Sequence, residues 1–407
     1  MLIPFSGIVA SAIIVEPATH IEVYNGTEWV IYELADTTKP LPQGMTWNAS
    51  KERLELNGYK GGSFRQRNIP ETRNSISIYV EGSNVVNGYI KFFGGIKIAG
   101  SKNASLTVNT KDFFASITGI RELTDIELNV KTDIDAASGL HDDQPVMGVN
   151  TAIEPGSEGC KLVLKGKARL NIDVKSKRGI EEVDAIGVAS DLELNDDSSV
   201  YINVFGDEKI RSVYGVLGKL TLKGTGDCII KTSSDNTSSF TEACAVHPKA
   251  GEPVVTNPSI YKVFGKWDEK EVKYLNAAKA RCEKNKWTKG EKEGLTFTSY
   301  YDFSQFENVK VDGKELSKDD YIEKEGSTII YLKPSYLETL TVGTHDLEIN
   351  FDAQVAMFTS KAQFEVLAKE EIAPTDDPTN LIEQVALLIG LGGFAAVAGV
   401  VRRKEDK

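Results

Sequence analysis

Between about Leu54 and Thr232 the chain repeats itself, and that repetition constrains its fold more than any other feature. A short strand-like segment with alternating apolar residues is followed by a second one starting eight residues later. The pattern occurs as Ile126-Glu-Leu128 with Ile134, as Leu162-Val-Leu164 with Leu170-Asn-Ile172, and as Leu192-Glu-Leu194 with Val200-Tyr-Ile202. It recurs as Leu220-Thr-Leu222 with Cys228-Ile-Ile230, and an earlier copy is Ile96-Lys-Ile98 with Ala104 and Leu106. A glycine with an apolar follower precedes each pair, at Gly88-Tyr89, Gly119-Ile120, Gly148-Val149, Gly187-Val188 and Gly215-Val216. The interval is about thirty residues, the mark of a stacked array in which no single unit can bury its own apolar face. Three short strands per unit without a helical period predict a mainly β fold, a right-handed parallel β-helix over 21–245. A β-sandwich is the competing fold, and the recurring offset favours the β-helix.

The repeat ends before the chain does. From about Gly294 to Val366 the period is still two, with strands predicted at Leu295–Thr298, Asn308–Val311, Ile329–Leu332, Leu347–Phe351, Val355–Thr359 and Gln363–Val366. Asp312-Gly313 and Glu325-Gly326 are turn signals between them. This spacing predicts a small immunoglobulin-like sandwich over 291–367. Between the two units, 246–290 reads as a connector, with a helix expected in the charged run from Asp268 to Lys286.

Both ends carry apolar runs. From Gln384 to Val401 there is no charged residue. At about 1.5 Å per residue the run makes a helix about 27 Å long, near a hydrocarbon core of about 30 Å. With Leu381 and Val401 as its ends, 381–401 is expected to span a membrane once, after a linker over 368–380. Arg402, Arg403 and Lys404 open a basic tail over 402–407 that would face the cytoplasm, placing the body of the chain outside the cell. Residues 1–20 read either as an export-signal-like segment with Ala10-Ser11-Ala12 as a cleavage pattern, or as a first strand.

The stretch "VKVDGKELSKDDYIEKEGSTIIYLKPSYLETLTVGTHDLEINF" resembles the immunoglobulin-like modules that accompany carbohydrate-binding domains in surface proteins of Gram-positive bacteria. "WNASKERLELNGYKGG" and the repeats after it resemble the β-helical carbohydrate-binding domains of such proteins. The tail is similar to a Gram-positive cell-wall sorting signal, but "APTDDPTN" lacks the Thr-Gly pair at which a transpeptidase cuts, so a retained helix is expected rather than a wall linkage. The resemblance implies a non-catalytic, cell-surface polysaccharide-binding protein. A structural adhesin or spacer binding a protein partner is the alternative, and a polysaccharide lyase or hydrolase the third reading.

A formal net charge of -12 disfavours a nucleic-acid partner, because phosphate backbones are repelled. No nucleophile elbow, phosphate loop or metalloprotease helix motif is present, and no carboxylate pair stands out as a glycosidase pair. Two acidic turns are candidates for calcium: Asp142 with Asp143, beside His141, and Asp196 with Asp197. The commoner reading of each is an ordinary polar turn. Trp29, Trp47, Trp267 and Trp287 are candidate sugar platforms, although all lie outside the clear repeats, where an indole ring also serves to cap the stack. The four cysteines permit disulfides without a zinc spacing, and Cys160 and Cys228 read as small buried side chains.

Overall fold

The computed structural model describes residues 15–66, 73–135, 144–151, 161–177, 183–236, 242–325, 327–352 and 357–369. It is mainly β, with a large and mostly parallel assembly of strands in its first part.

Within the repeats, strands that follow one another along the chain belong to different ladders. One ladder runs through Ala115–Thr124, Val146–Asn150, Asp184–Val188, Ser212–Val216 and Glu242–Val246. A second continues through the end of Ala115–Thr124, then Lys161–Lys165, Asp191–Leu194, Leu220–Leu222 and Val254–Val255. A third holds Ser105–Thr110, Glu127–Asp135, Arg169–Lys177, Ser199–Gly206 and Cys228–Ser234. All these pairings are parallel and join equivalent positions of successive repeats.

The register stacks like on like. Leu54, Ile78, Ile98, Leu123, Leu164, Leu194 and Leu222 form one column, all buried. Val108, Val130, Ile172, Ile202 and Ile230 form another. Because the side-chain period of a strand is two, a one-residue slip would turn every member of these columns to the wrong face. Cys228 continues the column of Leu106, Leu128, Leu170 and Val200 and is fully buried. Cys228, Cys244 and Cys282 are free thiols, and Cys160 lies outside the described residues.

The repeat glycine has a packing cause. Side chains at Gly148, Gly187 and Gly215 would collide with Ile172, Ile202 and Ile230 of the third ladder and with a carbonyl oxygen of the next strand in their own ladder. Only hydrogen lets the first ladder approach the third that closely. On the face away from this contact, Ala115, Met147, Ile186, Tyr214 and Cys244 form a separate buried cluster, so these strands are apolar on both sides, as is usual for parallel sheets covered on both faces.

The helix expected between Asp268 and Lys286 does not form. Glu271–Asn276 is a strand, and Arg281–Cys282 another. The cause is tertiary. Cys228–Ser234 is the last strand of the third ladder, and Glu271–Asn276 pairs antiparallel with it, placing Tyr274 opposite Cys228 and burying Val272 and Tyr274. Completing an open edge and covering the end of the core outweighs a helix propensity of a few tenths of a kcal/mol per residue. Ile260–Gly265 then pairs with Glu271–Asn276 as a hairpin.

The second part is a two-sheet unit with its own core. One sheet contains Arg281–Cys282, Leu295–Ser299, Thr328–Leu332 and Tyr321–Lys324; the other contains Lys286–Thr288, Met357–Leu367, Gly343–Asp352, Phe306–Val311 and Lys314–Glu315. Trp287, Phe297, Ile330, Ile349, Phe351 and Phe364 fill one shared core. Its first strand precedes the expected boundary at 291, and a single long strand, Met357–Leu367, runs through the last predicted segment, Gln363–Val366.

The expectation of a single-pass membrane protein with its body on the extracellular face is corrected. Among the described residues no helix is long and apolar enough to cross a membrane, and the α-helix present, Pro334–Leu337, is four residues long. Residues 381–401 and the basic Arg402, Arg403 and Lys404, on which that expectation rested, lie outside the described residues. At the other end, Val15–Pro17 is a strand paired in parallel with Arg73–Ser75, while residues 1–14 lie outside the description.

Candidate functional site

In the third ladder, residues that alternate with the buried columns face away from the core, and the same register that stacks the core aligns them in rows. Thr107, Asn129, Asn171, Tyr201 and Ile229 make one row. Asn109, Lys131, Asp173, Asn203 and Lys231 make the next. Neighbours in a row are about 4.8 Å apart, so planar amides meet edge to edge. The Asn171 amide donates to Asn129 Oδ1 at 2.9 Å, and the Asn203 amide donates to Asp173 Oδ1 at 2.8 Å. Between the rows runs a groove of about 330 Å³ that crosses four adjacent strands.

The groove carries one exposed aromatic face. Tyr201 is 36% exposed. Its hydroxyl lies 3.5 Å from an Asp227 carboxylate oxygen, and Asp227 is ion-paired with Arg281. Partial burial, together with the Asp227 charge and against the pull of Arg281, pushes the Tyr201 hydroxyl above its ordinary value, so it remains a neutral donor. Two ammonium groups, Lys131 and Lys231, line the groove without a carboxylate partner among the described residues. The single carboxylate in the lining is Asp173, held by Asn203 and by Lys175 at 3.3 Å. This surface offers amide donors and acceptors, a hydroxyl, two cations and a flat ring, a set suited to a polyhydroxylated ligand.

The four tryptophans lie elsewhere. Trp29 packs between Tyr24 and Tyr89, with ring centres 5.5 and 5.8 Å away, and the Arg65 guanidinium stacks on it at 3.8 Å. Arg65 is itself paired with Glu22 at 2.8 Å, so that ring is engaged within the protein. Trp47 and Trp267 are half-buried against the main core, one before the repeats and one after them. The Trp267 carbonyl accepts the Val246 N–H at 2.7 Å at the last strand of the first ladder. Trp287 is fully buried in the second unit and donates its indole N–H to the Glu293 carbonyl at 2.8 Å.

The acidic turn is also spoken for. Asn103, Asp125, Gly166 and Asp196 occupy left-handed backbone positions in the turns leading into the third ladder. Asp196 accepts the Gly166 N–H at 2.8 Å, and Asp125 accepts the Lys167 N–H at the same distance. Asp197 accepts the Thr225 hydroxyl at 3.1 Å and pairs with Lys279. These carboxylates satisfy N–H groups and a hydroxyl of neighbouring turns and, at Asp197, the Lys279 ammonium, which an Asp-rich turn does well. Asp142 and Asp143 lie outside the described residues, and among the described residues no group of three or more metal-ligating side chains is assembled.

The tryptophans do not mark the Tyr201 groove. The signal was the alternation itself. Once Val200, Ile202 and Val204 are read as inward, Tyr201 and Asn203 must face outward, and the repeat offset aligns them with Asn171 and Asp173.

Compared with protein-family models, curated proteins and solved structures, the chain matches none.

Proposed function

We propose that the first unit is a right-handed parallel β-helix that binds polysaccharide without cleaving it, and that the immunoglobulin-like second unit is its accessory module. The observation that carries this reading is the groove across Asn129, Asn171, Tyr201 and Ile229, where a flat ladder of amides surrounds one exposed ring. Three ladders that each advance by one repeat per strand support the β-helix, since stacked coils pair equivalent positions in this way. A core shared by a four-stranded and a five-stranded sheet supports the sandwich. Binding is favoured over hydrolysis because the groove presents one carboxylate, Asp173, already engaged by Asn203 and Lys175, where paired carboxylates would be needed.

Affinity electrophoresis of the full chain through gels containing plant, host and bacterial polysaccharides tests this reading. Retardation in at least one gel, reduced by Tyr201→Ala, is the expected result. Free migration in every gel would overturn it.

A further inference from the structure

The row that lines the groove continues beyond the last strand of the third ladder. Ile229 in that strand is registered with Lys273, and Lys273 with Phe264. The Lys273 ammonium lies 4.9 Å from the Phe264 ring centre, so the ring is on the same outward face as the groove. The capping hairpin thus extends the row of Asn171, Tyr201 and Ile229 by two strands.

Phe264 is 52% exposed. Among the described residues it and Tyr201 are the aromatic side chains that stand exposed, and both fall on this one row. Apart from its contact with Lys273, the Phe264 ring has no part in the hairpin's packing, because Val272 and Tyr274 supply the buried side. Three strand spacings separate Tyr201 from Phe264, about 14 Å along the row. In an extended polysaccharide each sugar advances the chain by a length close to one strand spacing.

We propose that Phe264 is a second stacking platform of the same site, and that the ligand is a linear, extended polysaccharide lying along the row across the strands, bridging Tyr201 and Phe264 about three sugars apart. Between the rings, Ile229 and the Lys273 stem give an apolar floor, while Lys231 and Glu271 flank it with polar groups. This rests on the polysaccharide-binding reading and adds its length requirement and direction.

The test uses three-sugar and six-sugar fragments of whichever polysaccharide retards the full chain, titrated calorimetrically into the wild type, Phe264→Ala and Phe264→Trp. The six-sugar fragment is expected to bind the wild type at least about tenfold more tightly than the three-sugar fragment, a gain of about 1.4 kcal/mol. Phe264→Ala should erase that gain and leave the three-sugar affinity within about twofold; Phe264→Trp should preserve it. Equal affinities of the two fragments for the wild type, or a six-sugar affinity untouched by Phe264→Ala, would overturn the two-platform site while leaving polysaccharide binding intact. Absence of any retarding polysaccharide would remove the functional reading and this inference together.

Discussion

Gly187 sits directly against Ile202: a Cβ on the glycine would lie 2.5 Å from Ile202 Cγ2 and 2.6 Å from the Gly215 carbonyl oxygen. The same relation joins Gly148 to Ile172 and Gly215 to Ile230. The equivalent position in the last strand of the ladder is Ala245, beyond which no further ladder strand follows among the described residues to supply the obstructing carbonyl. Gly187→Ala should therefore destabilise the first unit by about 1–3 kcal/mol, the usual cost of overpacking a core that cannot relax. A urea midpoint equal to that of the wild type would contradict the packing.

If the proposed site is correct, Tyr201 separates binding from folding. Its ring is partly exposed and its hydroxyl makes a long contact to Asp227, beside Arg281. Tyr201→Ala should change stability by less than about 1 kcal/mol while weakening polysaccharide retention. Tyr201→Phe, which keeps the ring, should retain most of the binding. Equal retention by all three proteins would place the ligand elsewhere.

Glu193 ties three strands of the second ladder's outer side together, pairing with Lys161 at 2.8 Å and Lys223 at 2.9 Å. Burial opposes its charge, but those two lysines and Asn195 outweigh burial and hold the carboxyl at about 2. A folded value below the ordinary carboxylate value of 4.5 means its stabilisation is complete above about pH 4.5 and is lost as pH falls toward 2. Denaturation curves at pH 5 and pH 3 should show a smaller loss of stability for Glu193→Gln than for the wild type. An identical loss in both would remove Glu193 from the acid response.

His345 gives the second unit the opposite dependence. Its ring is buried, with Nδ1 2.6 Å from Asp312 Oδ2 and Nε2 2.8 Å from the Thr341 carbonyl. Burial disfavours the cation, yet two acceptors, one of them charged, raise its value above the ordinary histidine range. The stabilisation is present below the ordinary histidine value and is lost as pH rises through the raised one. Melting of the second unit should fall in temperature on the alkaline side, and His345→Asn should flatten that fall. An unchanged pH profile in the variant would exclude the pair as its cause.

Much of the first unit was legible because burial imposes a period. Leu162, Leu164, Leu192 and Leu194 announce their inward face by alternation alone, and the Gly-apolar pairs mark the repeat. The strand at Glu271–Asn276 was not legible, since "DEKEVKYLNAAKARCEKNK" carries helix-favouring residues and its strand state comes from the open edge of Cys228–Ser234. The site was half legible. Tyr201 and Asn203 could be assigned outward, but Phe264 lies outside the repeat and joins their row through an antiparallel pairing with a register shift.

By itself, then, the sequence determined which residues must leave water and at what interval, because hydrophobic burial acts on each residue's own side chain. Only the tertiary structure decided what covers the ends of the stack, why Asp196 and Asp197 serve neighbouring turns, and which exposed side chains share a row. Those are relations between distant segments, and hydrogen-bond pairing and register settle them only when the chain is folded.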